Sequence, residues 1–272
     1  MKRFTAATLF LFIFFGCSSP AAEKIQDKKI IMAIFAHPDD EVDVAPLLSK
    51  LSKEGHTVYL VIATKGEKGI TEHAKIPAGD SLANVRERET ICNCEALGIK
   101  PPVMLGMGDA GIETRPALAT LRERIDNAIT QIKPDIVITW GPDGGSGHPD
   151  HRMVGNVVTE IYQSGQSSSF KTLFFTGIPT ENWLKPPVYK TDLGKEVHET
   201  YKTVKKEYLT TRVKCEKPEI EKAINAMYCY KSQYTTEEMA DNKLWTLYMN
   251  RDTVYLRPFR FQNKIQYDIF TE

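Results

Sequence analysis

Residues 31–48 read IMAIFAHPDDEVDVAPLL, and this stretch decides the fold class. Its first half is a continuous apolar run of strand length, as expected of a strand covered on both faces. Its second half places His37 and a run of acids where that strand ends, and Pro46 suits the first turn of a following helix. Like charges this close repel one another, so each carboxylate that leaves water needs a partner.

Strand and helix patterns alternate from this stretch to about residue 178. Apolar runs predict strands over 29–37, 56–64, 101–108, 134–140 and 171–178. Helical patterns lie between them, over 46–54, 83–98, 115–132 and from about 152. Repeated β-α-β units predict an α/β, Rossmann-like fold, with a mostly parallel sheet and helices on both faces. Beyond residue 179 the pattern weakens, and we predict only a helix over 217–234 and a strand over 253–261.

Length and charge exclude some classes of function. A chain of 272 residues suits one large domain, which we assign to residues 28–272. Lys+Arg and Asp+Glu both number 35, and this balance argues against nucleic acid as a partner, because proteins that bind it concentrate basic charge. No GxGxxG pattern follows the first strand, which argues against a dinucleotide-dependent oxidoreductase.

The N-terminal residues predict export rather than a part of the fold. Residues 1–16 combine a basic start with an apolar run too short to span a membrane, and we interpret them as a lipoprotein-type signal peptide. Cys17 is then the lipidated residue, and residues 17–27 are a polar tether. The alternative is a secreted protein whose signal happens to contain a cysteine. We expect an exported protein, anchored by lipid in the bacterial cell envelope, whose membrane contact is through Cys17 only.

The four other cysteines give no zinc-binding pattern. Cys92 and Cys94 are two residues apart in a predicted helix, so they point in different directions. Cys215 and Cys229 are the pair that the sequence leaves open for a disulfide. Buried thiols are the default for all four.

Two clusters of histidines and acids follow two predicted strands. The first is residues 37–41, and the second is residues 148–151, after a glycine-rich loop. Ligands of open α/β sheets bind outside the carboxyl ends of the strands, so we expect both clusters to form one site there. Helix capping would explain Asp43, but it explains neither His37 nor the second cluster.

The residue types in these clusters favour a metal centre that catalyses hydrolysis. A divalent cation relieves repulsion among the acids, and catalytic zinc sites use three protein ligands with a position left for water. A bound zinc ion lowers the pKa of that water to about 7. A further carboxylate supplies a general base, and a further histidine supplies a proton donor or an oxyanion stabiliser. Two histidines and one carboxylate also suit non-haem Fe(II) oxygenases, which need no such acid/base pair.

AHPDDE at 36–41 and HPDH at 148–151 together resemble the PIG-L/LmbE-like family of zinc-dependent N-acetylglucosamine deacetylases. The resemblance covers the chain from Lys29 to about Ile178. It includes RERETICNCEALGI at 86–99 and GDAGI at 108–112, which are similar to further segments of that family. The last third of the chain matches less clearly.

The resemblance implies roles for five residues of the two clusters. His37, Asp40 and His151 would be the zinc ligands. Asp39 would be the general base that activates the water. His148 would be the acid or oxyanion stabiliser beside the substrate amide.

The resemblance also implies roles for residues around the metal. Asp150 would orient a histidine, and Arg86 and Asp109 would bind sugar hydroxyls or phosphate-like groups. The alternatives are a surface salt bridge for Arg86 and a turn position for Asp109. Ser146 stands where some members of the family have an aromatic residue that assists the oxyanion.

The resemblance implies the removal of N-acetyl groups from N-acetylglucosamine-type sugars or glycoconjugates by a zinc-activated water. The substrate would be a small molecule or glycan that carries an N-acetyl amino sugar. Zn²⁺ would be the cofactor, with Fe²⁺ as the competing metal. A sugar-binding lipoprotein without catalysis is the first alternative, and an Fe(II) oxygenase is the second.

Overall fold

The computed structural model describes residues 27–165, 170–183, 188–241 and 252–270. Its strands are β1 (Ile30–Phe35), β2 (Thr57–Thr64), β3 (Val103–Met107), β4 (Ile136–Thr139), β5 (Thr172–Thr176), β6 (Thr211–Lys214) and β7 (Thr253–Pro258). Its helices are α1 (Ala45–Lys53), α2 (Asp80–Leu97), α3 (Arg115–Ile132), α4 (Pro149–Ser164), α5 (Thr180–Trp183), α6 (Asp192–Thr200) and α7 (Lys217–Met227). The predicted signal peptide, residues 1–16, and Cys17 lie outside these described residues.

The strands form one mixed sheet in the order β3-β2-β1-β4-β5-β7-β6. The neighbours from β3 to β5 are parallel. β7 runs antiparallel to both β5 and β6. This confirms the predicted α/β fold with a mostly parallel sheet. The antiparallel β6 and the short helices α5 and α6 were not predicted, because the chain beyond residue 179 lacks long apolar runs.

The apolar run of β1 fills both faces of the sheet. Ile31 and Phe35 join one core with side chains of α1 and α7, while Met32 and Ile34 join another with side chains of α3 and α4. Successive residues of a strand point to opposite faces, so a strand between two helical layers must be apolar throughout. Full burial of each large side chain contributes about 1.5–3 kcal/mol.

The sheet topology places a crevice at the ends of β1 and β4. These two strands are neighbours, with Ile31 beside Ile136. β1 continues through α1 to β2 on one side, and β4 continues through α4 to β5 on the other. The two connections therefore diverge, and their divergence opens the crevice in which ligands of such sheets bind. A 3-10 turn, Asp40–Asp43, follows β1 at this point.

The disulfide of the structure is a correction to the expected cysteine chemistry. Cys92 of α2 bonds to Cys229 just beyond α7, whereas Cys94 and Cys215 are buried free thiols. The pairing of Cys215 with Cys229, which the sequence left open, is therefore wrong, as is the default of a buried thiol for Cys92 and Cys229. α2 and α7 pack against each other, and Cys92 lies on the face toward α7 while Cys94 lies in the core.

Two further expectations differ from the structure. The helix predicted over 217–234 ends at Met227, and residues 228–234 form turns. Asp43 does not cap α1: its carboxylate accepts a hydrogen bond from the Tyr201 hydroxyl. Among the helices in the described ranges, none combines the length and the apolar character that crossing a bilayer requires.

The Cys92–Cys229 disulfide should stabilise the fold, because it closes a separation of 137 residues in the unfolded chain. Replacing both cysteines by serine should lower the free energy of unfolding by about 2–5 kcal/mol, measured by urea denaturation. A dithiol reductant should destabilise the natural protein and leave the Cys92→Ser/Cys229→Ser variant unchanged. Equal effects of the reductant on both proteins would show that this disulfide is not the bond responsible.

Candidate metal centre

His37 and His151 each turn one ring nitrogen toward a common point. The Nε2 atom of His37 lies 3.2 Å from Asp109 Oδ1 and 3.3 Å from Asp150 Oδ2. The Nδ1 atom of His151 lies 2.9 Å from the carbonyl oxygen of Gly144. We therefore assign the N–H groups to His37 Nε2 and His151 Nδ1, since both face acceptors. The nitrogens left with lone pairs, His37 Nδ1 and His151 Nε2, lie 3.1 Å apart.

Asp40 supplies a carboxylate oxygen to the same point. Its Oδ2 accepts hydrogen bonds from the backbone N–H groups of Ala36 and His37 and from Trp140 Nε1. Its Oδ1 lies 3.1 Å from His151 Nε2. Burial would raise the pKa of Asp40, but the adjacent His151 and His37 hold it well below its usual range. The ring of Trp140 also stacks on His151, so this residue fixes two of the predicted ligands.

The donor atoms fit a divalent cation. Two lone pairs that face each other at 3.1 Å repel unless a proton or a cation lies between them. Ligand atoms around a tetrahedral zinc ion are roughly 3.3–3.6 Å apart, given bond lengths near 2.0–2.2 Å. Burial lowers the pKa of His37, but hydrogen bonds to Asp109 and Asp150 outweigh burial and raise it to about 10. Binding of a metal ion at this nitrogen would therefore compete with a proton.

Two other groups of side chains in the described residues could also hold a metal ion. One is His37, His148 and His151, and the other is His37, Asp109 and Asp150. The second group is less suited, because both of its carboxylates already accept the Nε2–H of His37 and backbone N–H groups. In the set of His37, Asp40 and His151, His151 Nε2 lies 3.1 Å from both His37 Nδ1 and Asp40 Oδ1, and His37 Nδ1 lies 3.8 Å from Asp40 Oδ2.

Asp39 lies beside the predicted metal ligands His37, Asp40 and His151, but it is not one of them. Its Oδ2 accepts a hydrogen bond from the Tyr234 hydroxyl at 3.0 Å and lies 3.4 Å from the guanidinium of Arg86. Burial raises the pKa of Asp39 to about 6, although Arg86 and Tyr234 act in the opposite direction. Its φ of 85° is in the left-handed region, which is uncommon for a residue with a side chain. A carboxylate with a pKa near neutrality is suited to proton transfer.

His148 faces the same cavity from the start of α4. Its Nδ1 accepts a hydrogen bond from the backbone N–H of Asp150, so the ring carries its proton on Nε2 when neutral. Burial lowers the pKa of His148, and the nearby His37 and His151 lower it further. A neutral imidazole that donates through Nε2 can stabilise an oxyanion.

The three residues predicted around the metal all contact His37 or Asp39. Arg86 is 4% exposed and donates to the carbonyl oxygens of Pro38 and Gly66, so the alternative of a surface salt bridge is wrong. Asp109 and Asp150 both contact His37, and such carboxylates commonly orient metal-bound histidines. Asp150 therefore lies where the prediction requires a residue that orients a histidine.

Four aromatic residues around the acids were missed by sequence reasoning: Trp140, Tyr201, Tyr230 and Tyr234. Glu41 is fully buried, and its Oε1 accepts a hydrogen bond from Tyr230 at 2.9 Å. Burial raises the pKa of Glu41 to about 8, so it need not carry a charge. The expectation that a metal relieves repulsion among all these acids is therefore only part of the answer. The tyrosines of residues 228–234 were the available signal, but the helical interpretation concealed it.

A cavity of about 350 Å³ opens over these residues, which is within the range for small-molecule sites. Its walls include His37, Asp39, His148, Tyr201 and Tyr234. An adjoining open cavity of about 790 Å³ shares Leu193, Gln233 and Tyr234 with the first. The two cavities therefore adjoin at these three residues.

Sequence comparison agrees with this geometry. Residues 32–162, which hold both clusters, match the family described as PIG-L, GlcNAc-PI de-N-acetylase. This part of the chain is therefore similar to the PIG-L family. A 1D-myo-inositol 2-acetamido-2-deoxy-alpha-D-glucopyranoside deacetylase from Corynebacterium glutamicum (strain R) is 34% identical over 140 residues, which are 44% of this chain and 48% of the relative. The chain thus spans about half the length of this curated relative.

Solved structures share the fold over most of the chain. N,N'-diacetylchitobiose deacetylase from Pyrococcus horikoshii aligns with a TM-score of 0.64 and 22% identity, over 86% of this chain and 84% of that one. GalB, the 4-carboxy-2-hydroxymuconate hydratase from Pseudomonas putida KT2440, aligns with a TM-score of 0.56 and 15% identity, over 86% of this chain and 97% of that one. These likenesses concern the fold, and the second shows that the fold alone does not determine the reaction.

The ligand set can be tested by measuring zinc binding to single variants. Asp40→Asn and His151→Ala should each weaken zinc binding by more than about 100-fold, because a first ligand contributes more than the residues that orient it. His148→Ala should still bind about one equivalent of zinc. His73→Ala is the matched control, because that ring contacts the carbonyl oxygen of Lys231. Retention of zinc by Asp40→Asn with its loss from His148→Ala would instead favour the group of three histidines.

Proposed function

We propose that this protein is a metal-dependent deacetylase that removes the N-acetyl group from an N-acetylglucosamine-type sugar or glycoconjugate. One observation carries the proposal: a carboxylate, Asp39, and an imidazole N–H, that of His148, flank the three predicted metal ligands in one cavity. Amide hydrolysis needs both a base for the water and a donor for the oxyanion. The Corynebacterium relative and the Pyrococcus structure are both described as deacetylases of acetylated amino sugars.

The alternatives account for fewer of these residues. A sugar-binding lipoprotein would need neither a carboxylate with a pKa near 6 nor an imidazole that donates into the cavity. An Fe(II) oxygenase would use the two histidines and Asp40, but Asp39 and His148 would have no role in it. Hydrolysis gives each of these groups a task.

In the proposed mechanism, His37 Nδ1, Asp40 Oδ1 and His151 Nε2 would hold the metal, with Zn²⁺ as the expected ion and Fe²⁺ as its competitor. A divalent ion in this place polarises the amide carbonyl and acidifies water. Asp39 takes a proton from the attacking water while its Oδ2 stays bound to Tyr234. His148 donates its Nε2–H to the oxyanion that forms. Asp39 then returns the proton to the leaving nitrogen, which gives the free amine and acetate.

Arg86 and Asp109 keep their predicted part in substrate binding as a proposal. Both line the cavity, although each also holds protein groups. The adjoining cavity is mainly apolar, but Thr71, Thr235 and Glu238 place polar side chains along it that suit the hydroxyl groups of a ligand. We therefore propose that the substrate is larger than a single sugar.

The first experiment measures free amine released from N-acetylglucosamine and N,N'-diacetylchitobiose by residues 28–272 loaded with zinc. Asp39→Asn should retain zinc and lose about 10²- to 10⁴-fold in turnover, because it cannot accept the proton. Asp80→Asn, at an exposed position in α2, is the control for the loss of one carboxylate. The longer substrate should have the higher kcat/KM.

Full turnover by zinc-loaded Asp39→Asn would remove Asp39 from the role of base. If no amine were released from any compound although zinc was bound, the sugar-binding alternative would be favoured. Turnover that required oxygen and a cosubstrate would favour the oxygenase.

We propose that the protein is exported and anchored by lipid at Cys17, with residues 28–272 as a single catalytic domain. The sequence of residues 1–27 is the main support. The Cys92–Cys229 disulfide is a second support, because disulfides persist mainly in oxidising compartments. Membrane contact would then be through the lipid only, and the substrate would be a glycan outside the cytosol.

Lipidation can be tested with the full chain in a bacterial host given a labelled fatty acid. The protein should carry the label and sediment with membranes, and Cys17→Ala should abolish both, because only the cysteine thiol accepts the lipid. Ser18→Ala is the control for a change beside the cleavage point. A labelled Cys17→Ala protein would contradict the proposal.

A further inference from the structure

The turns after α7, residues 228–234, are fastened to α2 at two points. Cys229 bonds to Cys92, and the backbone N–H and hydroxyl of Ser232 donate to Glu89 at 2.7 and 2.6 Å. Positions 86, 89 and 92 of α2 are three residues apart, so they lie along one face of the helix. This face therefore runs from the disulfide, through Glu89, to Arg86 in the metal centre.

The two segments meet again at Asp39. The Tyr234 hydroxyl donates to Asp39 Oδ2 at 3.0 Å, and the guanidinium of Arg86 lies 3.4 Å from the same oxygen. Oδ2 is thus held from the turns on one side and from α2 on the other. Oδ1 is the oxygen left for a proton from the cavity.

The backbone of Asp39 needs such external support. Its φ of 85° is one of four positive values at non-glycine residues in the described part of the chain. Residues with a side chain persist in this conformation when their surroundings over-determine it. Without Tyr234, the carboxylate would keep one lateral contact, from Arg86, and could rotate about its side-chain bonds.

We propose that Tyr234 is a positioning residue for Asp39 and that the Cys92–Cys229 disulfide holds Tyr234 in place. The proposal rests on the proposed function in so far as Asp39 is the base. Tyr234 also lines both cavities, so the rival role is direct contact with the substrate. The two roles differ kinetically, because a misplaced base lowers kcat, whereas a lost substrate contact raises KM.

The test compares Tyr234→Phe with Tyr228→Phe, which removes the same hydroxyl from a side chain that is 41% exposed. Tyr234→Phe should lower kcat by about 10- to 100-fold, as expected for a small displacement of a reacting group. Its KM should stay within about twofold, its zinc content should not change, and Tyr228→Phe should behave as the natural protein. A raised KM with unchanged kcat would overturn the positioning role.

Non-additivity provides a second criterion. Adding Tyr234→Phe to Asp39→Asn should cause no further loss of kcat, because the base that Tyr234 positions is already absent. A full further loss in the combined variant would show that Tyr234 acts independently of Asp39, and it would overturn the proposal.

The disulfide is tested with Cys92→Ser/Cys229→Ser, assayed well below its Tm. This variant should have a lower kcat, as Tyr234→Phe does. When Tyr234→Phe is added to it, the fold-decrease in kcat should be smaller than the product of the two separate fold-decreases. An unchanged kcat would overturn the role of the disulfide and leave that of Tyr234 intact.

Thermal stability, which does not depend on catalysis, tests the Tyr234–Asp39 pairing separately from the proposed function. Tm values of Tyr234→Phe, Asp39→Ala and the combined variant should be non-additive, because alanine at position 39 removes the acceptor of the Tyr234 hydroxyl. If no substrate is hydrolysed but the Tm changes are non-additive, the function fails and the Tyr234–Asp39 pairing stands. Additive Tm changes would overturn the pairing in either case.

Discussion

The carboxylates that follow β1 must be accommodated in a space that the fold keeps away from water. Asp39, Asp40, Glu41 and Asp43 lie within five residues, and β1 is buried between two helical layers. An unpaired buried charge is costly, so a separate solution is needed for each acid. Asp40 faces the histidines, Glu41 has a pKa raised to about 8, and Asp39 and Asp43 accept tyrosine hydroxyls.

These partners come from distant parts of the chain. Tyr201 precedes β6, while Tyr230 and Tyr234 follow α7, and all three reach back to the turn after β1. The C-terminal third, which resembles the deacetylase family least, therefore builds part of the wall around residues that resemble it most. A change in this third can alter the chemistry of the site without touching either cluster.

The sequence was sufficient for the elements whose signal is local. The spacing of apolar residues predicts the buried strands and the helix at 115–132, and the structure agrees. The order of strands and helices predicts that the clusters at 37–41 and 148–151 meet, and they do. The partners of Asp39 and Glu41 could not be predicted, because a tyrosine hydroxyl has no local pattern that names its acceptor. The Cys92–Cys229 pair was missed for a related reason: pairing depends on how α2 and α7 pack, and sequence spacing does not report packing. Residues 228–234 looked helical because the pattern of α7 extends into them.

The place of β7 in the sheet has a consequence for the order of assembly. In the chain, 38 residues lie between Lys214, the end of β6, and Thr253, the start of β7. In the described sheet, β6 nevertheless pairs only with β7 and with Gln266. During synthesis, the five parallel strands can therefore pair as they emerge, whereas β6 must wait for sequence that is made later. A ribosome-bound chain should therefore form most of the metal centre before the sheet is complete. β7 emerges last, and it joins β6 to β5.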